Sequence, residues 1–451
     1  VENDGYTYNM NNECVEYVYN PYSLINILLK QYNPDNTTGL VKDSTNENLY
    51  YYTGTNEQVS NNFLWYGGHQ WRVLELDTSA KTLTLITQQP LTTIYPASAG
   101  WENEETYNTS YINTWLNEYF WDSLHGSIQS NIVDNVFNIG IYGEEVEEQN
   151  VKEIITNKKV GLLDVEQYLK AGSTDSFLDI KNSFWLGNRY NSSNVRYVNS
   201  NGNFFGGSLS AYGVRPVIKI SDIIITGGNG TFTNSYQSSN KATKTNDVQV
   251  GEYINVPYNG DDNACGSDNM CTFRVISKDN DSIKVVLNGL LPTKSQYGSS
   301  VTITTSHTIY TPLNTFAEGI SDTYRYTGNK IFYIGDYPNS ANYEDIKDET
   351  LEASVGLPTV GEIFSGNDIE LSTSSTKIFV DVNTIENPIA STMYWMMNRT
   401  GSTGVRHVGG NSYLGSNYSL NMDGVRPVIY IKFGISFTGG EGTAQSPYVL
   451  Q

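Results

Sequence analysis

YGVRPVIKI (212–220) and DGVRPVIYI (423–431) are one strand written twice, 211 residues apart. Each is followed by a glycine-rich turn, TGGNGT (226–231) in the first case and TGGEGT (438–443) in the second. Toward the N-terminus the correspondence continues in order. FWLGNRY (184–190) answers YWMMNRT (394–400), VRYVNSNG (195–202) answers VRHVGGNS (405–412), and VGLLDVEQYLKAG (160–172) answers VGLPTVGEIFSGN (355–367). Furthest upstream, FLWYGGHQWRVLELDTSAKTLTLIT (63–87) answers CTFRVISKDNDSIKVVLNG (271–289), with Arg72-Val73 over Arg274-Val275. Offsets confined to 195–212 mean one duplicated unit with loop insertions. The expected organisation is an N-terminal segment with one helix (1–45), a first domain (46–232), a linker (233–245) and a second domain (246–451).

Within each copy the first long match alternates Val, Leu, Ile and Thr on either side of a polar turn, the pattern of a β-hairpin. In NTSYINTWLNEYFWDSLHGSIQSNIV (108–133), Ile112, Trp115, Leu116, Tyr119 and Phe120 recur at steps of three and four, which predicts a helix with a wide apolar face. The second copy lacks that signature at the matching place, where TYRYTGNKIFYIGDYPNSANYEDIK (323–347) reads as strand and loop. PYSLINILLKQY (21–32) predicts a helix with Pro21 at its first position, packed on the first domain. TFTNSYQSSNKATKTNDVQ (231–249), which contains the expected linker, has no apolar period and reads as a linker or an extended edge segment.

The chain of 451 residues carries 48 acidic against 27 basic side chains, a net charge of -21. That balance argues against nucleic acid or an anionic membrane as partner, because phosphates are repelled over most of the surface. With 34 Tyr, 40 Gly and only 17% charged residues, the composition suits an extracellular protein. There is no run of 18 apolar residues and no basic-then-apolar leader in 1–20, so the start at Val1 is expected to be a mature or trimmed end. Cys265 and Cys271 bracket a short polar loop and are expected to close as a disulfide, which leaves Cys14 over. His69, His125, His307 and His407 are scattered without ligand spacing, so a metal site is the weaker reading of the cysteines.

The order WRV, WLN, VGLLDVEQY, FW, GVRPVI, GGxGT and SPYVL resembles an uncharacterised domain of surface and pilin-like proteins of Firmicutes. Residues 37–76 also look like the stretch that follows a pilin-type anchor helix in such proteins. The closing Val-Arg-Pro-Val strand is similar to the last strand of the C-type-lectin-like and formylglycine-generating-enzyme-like folds. The resemblance implies an α+β class: two tandem C-type-lectin-like domains, each a twisted, mainly antiparallel sheet with one or two helices and long loops. Fold analogy does not carry function.

Candidate chemistry is sparse. Arg215 and Arg426 recur in identical frames and are read as structural, locking the last strand to carbonyls or an acidic group, rather than as clasps for a ligand carboxylate. The oxidase chemistry of formylglycine-generating enzymes needs a cysteine pair, which the first copy lacks. No nucleophile motif surrounds the four histidines, and His69 reads as a surface or half-buried residue beside Trp71. The acidic run Glu144, Glu145, Glu147 and Glu148 reads as a solvated face. No cofactor is expected; calcium is the alternative, because NGDDNACGSDN (259–269) and DVNTIENP (381–388) are dense in oxygen ligands, although Asp/Asn/Gly turns explain them more simply.

The segments before each GVRPVI mix aromatic, basic and small polar residues as paratopes do: Arg189, Tyr190, Arg196 and Tyr197 in the first copy, Arg399, Arg406, His407 and Tyr413 in the second. They read either as a ligand-binding surface or as irregular polar surface. The function expected is a non-enzymatic, extracellular cell-surface module that binds glycan or protein. The alternative is a pilus or filament subunit whose partners are copies of itself, and an enzyme ranks last.

Overall fold

In this computed structural model the described residues are 6–8, 14–16, 22–94, 101, 103–124, 126–142, 152–172, 174–180, 183–191, 193–207, 212–238, 241–260, 264–265, 268–335, 349–359, 362, 369–372, 377–380, 393–400, 404–408 and 414–451. Strands Phe63–Tyr66 and His69–Asp77 pair antiparallel with Tyr66 opposite His69, so only Gly67 and Gly68 form the turn. Both have positive φ, 60° and 80°, the mirror-image geometry that joins twisted strands across two residues and that glycine adopts without strain. Thr82–Thr87 continues the meander, and Val217–Ser221, the GVRPVI strand, pairs with it antiparallel.

Across this sheet the order is 160–161, 217–221, 82–87, 69–77, 63–66, 236–238, 225–227. A second sheet runs 355–356, 428–432, 282–287, 270–278, 253–257, 448–450, 437–439, the same order position for position. Each sheet has its own buried apolar cluster, one drawn from residues between Leu24 and Tyr236 and the other from Ala242 to Leu450. Among the described residues the first sheet alone carries an added hairpin, Gly39–Lys42 with Leu49–Thr53, which pairs with the far half of His69–Asp77. A smaller sheet accompanies each: Phe204–Gly207, Val195–Val198, Phe184–Arg189, Tyr212–Val214 and Thr92–Ile94 in the first copy; Tyr394–Arg399, Val405–Val408 and Leu414–Asn417 in the second.

This architecture corrects the α+β, lectin-like expectation. About 41% of the described residues are strand and 12% helix, spread over several sheets, so the fold is β-rich. The apolar face expected within 108–133 is carried by one continuous helical run, Tyr111–Ser123, which is π-wound over Trp115–Phe120 and flanked by the short helices Glu104–Asn108 and Gly126–Gln129. Ser110 caps its start, its Oγ accepting from the Asn113 N–H at 3.1 Å, and Ile112, Trp115, Leu116 and Phe120 are buried. The second copy does have a helix as well, Tyr310–Glu318, which buries Tyr310, Leu313, Phe316 and Ala317. Its Leu313-Asn314 corresponds to the Leu116-Asn117 of WLN, with Pro312 tolerated in the first turn.

Three further expectations change in detail. The helix in the N-terminal segment is Leu24–Leu29, started by the Ser23 hydroxyl, which accepts from Asn26 N–H at 3.3 Å; Pro21, expected at its first position, lies outside the described residues. Leu24, Ile25 and Leu28 belong to the first core. The stretch 233–245 is built into both sheets: Tyr236–Ser238 pairs in parallel with Phe63–Tyr66, and Thr245 N–H donates to the Ile435 carbonyl at 2.9 Å. His69, expected near the surface, is fully buried against Trp71 and Phe120 at ring distances of 6.3 and 5.6 Å.

Cys265 and Cys271 are joined as a disulfide, with Cys271 buried opposite Val256. For two cysteines six positions apart, closing the loop in the unfolded chain contributes about 2 kcal/mol. Urea unfolding of the second domain with and without reductant is therefore expected to show a loss of about 2 kcal/mol on reduction. Among the described residues no helix is long and apolar enough to cross a membrane, and no group of His, Cys, Asp and Glu is placed to hold a metal ion. Parts of 259–269 and all of 381–388 lie outside the described residues.

Candidate functional site

The smaller sheet of the first copy has two faces of different character, set by strand alternation. Trp185 lies opposite Tyr197, and Tyr197 opposite Phe205, so the three share one face. Tyr212, from the neighbouring strand, stacks on Tyr197 with ring centroids 4.1 Å apart and planes 29° apart, and lies 4.9 Å from Trp185. Phe205 continues the row 6.1 Å from Tyr197 and is 45% exposed. On the opposite face the Arg196 guanidinium lies 4.4 Å from the Tyr190 ring and 5.3 Å from Phe204. The strand FFGG (204–207) makes this possible: a Cβ on Gly206 would meet the Tyr190 ring at 2.4 Å, and one on Gly207 the Tyr197 ring at 3.1 Å.

In the second copy the register places His407 where the first has Tyr197, and Asp423 where it has Tyr212. His407 Nδ1 is 2.9 Å from Asp423 Oδ2, both buried, and the Asn417 amide donates to the same oxygen at 3.1 Å. Trp395 flanks His407 as Trp185 flanks Tyr197, at 6.3 Å. Equivalent positions thus carry a partly exposed aromatic row in one copy and a buried polar pair in the other.

The expected ligand-binding residues divide accordingly. Arg189 is buried, with Nη2 on Glu153 Oε2 at 2.7 Å and Nε on the Ile139 carbonyl at 3.3 Å. Arg399 repeats this with Glu349 and adds Thr302 Oγ1 at 2.9 Å. Arg196 donates from Nε and Nη2 to the Tyr142 carbonyl at 2.8 and 2.6 Å, and Arg406 is buried. The polar groups of Arg189, Arg196, Arg399 and His407 are thus engaged by internal partners, and Arg406 is buried. Tyr190 and Tyr197 remain half-exposed. Tyr413 lies outside the described residues.

Arg215 and Arg426 do the same work in both copies. Arg215 Nε donates to the Thr87 carbonyl at 2.9 Å and Arg426 Nε to the Leu287 carbonyl at 2.8 Å, the last residues of corresponding strands. Arg215 also donates from Nη1 to the Leu178 carbonyl at 2.8 Å and lies 4.8 Å from the Phe184 ring. Burial lowers its pKa to about 9. Sequence reading missed Trp185, Phe205 and Tyr212, whose grouping depends on which strands pair.

Residues 82–222 match a family described as a domain of unknown function (DUF6273). The DUF6273 match begins at the Thr82–Thr87 strand and ends just after Val217–Ser221, so it contains the whole aromatic row and the Arg215 tie. The first copy therefore carries an uncharacterised domain. No curated protein and no solved structure matches the chain.

Proposed function

We propose that the chain is a non-catalytic module of an extracellular, surface or pilin-like protein, and that it binds glycan on the aromatic face of the first copy. The observation behind this reading is the row Trp185, Tyr197, Tyr212 and Phe205, which leaves Phe205 45% exposed on the edge strand of the sheet. Flat aromatic rings flanked by small polar residues offer contact area at low conformational cost. The Cys265–Cys271 disulfide fits an oxidising compartment.

Binding to a panel of polysaccharides tests this. Phe205→Ala is expected to weaken binding about tenfold, which is about 1.4 kcal/mol, with little change in melting temperature because the ring is exposed. Binding unchanged in Phe205→Ala and Tyr212→Ala, or no polysaccharide bound, overturns the reading. One feature favours the filament subunit instead. Tyr418, Leu420 and Met422 are 72%, 60% and 53% exposed on a turn of the second copy. That turn is pinned at Ser419, whose carbonyl accepts from Tyr297 and Gly298 N–H at 2.9 and 3.2 Å. Ordered fibres in electron micrographs that vanish in Leu420→Ser would select that reading.

A further inference from the structure

Glu75 sits in mid-strand, opposite Tyr51 on one side and Thr84 on the other. With Tyr51, Gln167 and Lys170 it lines a narrow pocket beneath the Val165–Lys170 helix, whose interior has room for one water-sized group. The Glu75 carboxylate makes no hydrogen bond or contact ion pair with a described residue. Burial holds its pKa above the ordinary value, and the more distant Lys170 and Lys219 offset this in part. Lys170 is committed elsewhere: its Nζ is 2.7 Å from Asp43 Oδ2 and 4.1 Å over the Tyr51 ring. Hydrogen bonds from Lys170 and Thr45 hold Asp43 well below the usual carboxylate range, so it stays ionised and keeps that ammonium.

The second copy shows what this layer accommodates. In the same register Ser277 stands for Glu75, Lys284 for Thr84 and Tyr430 for Lys219. Glu362 stands for Gln167, and each starts a helical turn through reciprocal bonds with its cap, Thr359–Glu362 and Asp164–Gln167. The Lys284 ammonium is buried against Glu362, 4.3 Å from the Phe332 ring and 5.4 Å from Tyr430. The second copy thus fills its layer with an ammonium from its own chain. The first has a carboxylate and an aromatic ring, with threonine where that lysine would be, and the Lys170 ammonium at its wall is held by Asp43.

We propose that the Glu75 pocket of the first copy is a binding site for a primary ammonium on an unbranched aliphatic stem, as in a lysine side chain or an alkylamine. The ammonium donates to Glu75 beside the edge of Tyr51, and the stem leaves through the pocket mouth. The charge-assisted hydrogen bond to Glu75 is the interaction that offsets the cost of stripping water from the cation. The site lies on different strands from the aromatic row and does not depend on the glycan reading.

The test is an NMR titration of the whole chain with Nα-acetyl-lysine methylamide, against the same compound acetylated on Nζ. Amide shifts at Glu75, Gln167 and Ala171 are expected to saturate with a Kd on the order of 1–10 mM for the free amine and to be absent for the acetylated probe. Glu75→Gln is expected to weaken binding at least tenfold, and Thr84→Lys to abolish it by supplying the ammonium internally. Equal shifts from both probes, or no saturable shift at these residues with the free amine, overturn the proposal. The wild-type comparison decides by itself, so the test survives a failure of either variant to fold.

Discussion

Arg215→Ala is expected to cost about 3–5 kcal/mol of stability in the first domain, measured by urea unfolding at pH 7. The substitution removes a buried guanidinium that donates to the Thr87 and Leu178 carbonyls and packs on Phe184. Both carbonyls then lie in a core that water does not reach, and each unsatisfied group costs about 1–3 kcal/mol. Arg426→Ala in the second domain is expected to cost less. Its guanidinium makes one short carbonyl bond, to Leu287, and a longer contact of 3.4 Å with the Tyr394 hydroxyl. The order of the two losses is the informative result. Equal small losses would mean that the Arg-Pro frame is held by strand pairing alone. Arg215→Lys keeps the charge but cannot span both carbonyls with a planar fork, so it is expected to recover only part of the loss.

Glu252→Gln is expected to stabilise the second domain at alkaline pH and to leave it unchanged in acid. Glu252 is buried, with Oε2 accepting from Gln249 N–H at 2.7 Å and Oε1 3.4 Å from the Tyr448 hydroxyl. Burial raises its pKa from 4.5 to about 8, and the hydrogen bonds from Gln249 and Tyr448 and the charge of Lys278 offset this in part. A carboxyl whose folded pKa lies above its unfolded value favours folding as the neutral acid. That contribution is whole below pH 4.5 and is lost as pH rises to about 8. The wild type should therefore fall behind the glutamine variant progressively across this window, by on the order of 3–5 kcal/mol at its upper end. Urea midpoints of both proteins at about pH 4.5 and pH 8.5 measure it, and a gap that does not widen with pH sinks the assignment. The first copy already has the neutral solution. Asn62 occupies the corresponding place, its carbonyl accepting from Val73 N–H at 3.0 Å as that of Glu252 accepts from Val275 N–H at 2.9 Å.

The two variants probe a duplication whose copies have kept their backbone and changed their polar interiors. Arg72 is neutral-paired, with Nε on Asn62 Oδ1 at 2.6 Å and the Phe63 ring 3.9 Å away. Arg274, its counterpart, bonds the Tyr253 hydroxyl at 3.0 Å instead. The layer above the sheet holds Glu75 and Gln167 in one copy and Lys284 with Glu362 in the other. The row before GVRPVI is Tyr197 with Tyr212 in one and His407 with Asp423 in the other. Such paired exchanges keep the strand register while altering what each face presents.

Much of this was legible in the sequence, wherever the signal is local. The two GVRPVI strands and the hairpins across Thr78–Lys81 and Asp279–Asp281 each sit within a few residues, and periodicity and turn chemistry decide them. Long-range pairing decided the rest. The apolar period at 108–133 does form a helix, over Tyr111–Ser123, but its π-wound middle was not legible in the period, and the surplus of strand made the fold β-rich. Arg189 and Arg196 looked like paratope residues until Glu153 and the Tyr142 carbonyl closed on them. No window of sequence contains the Trp185, Tyr197, Phe205 and Tyr212 row, or Glu75 under the helix that carries Lys170. Those groupings exist because the strands pair in one particular register, and side-chain alternation then assigns each residue to one face or the other.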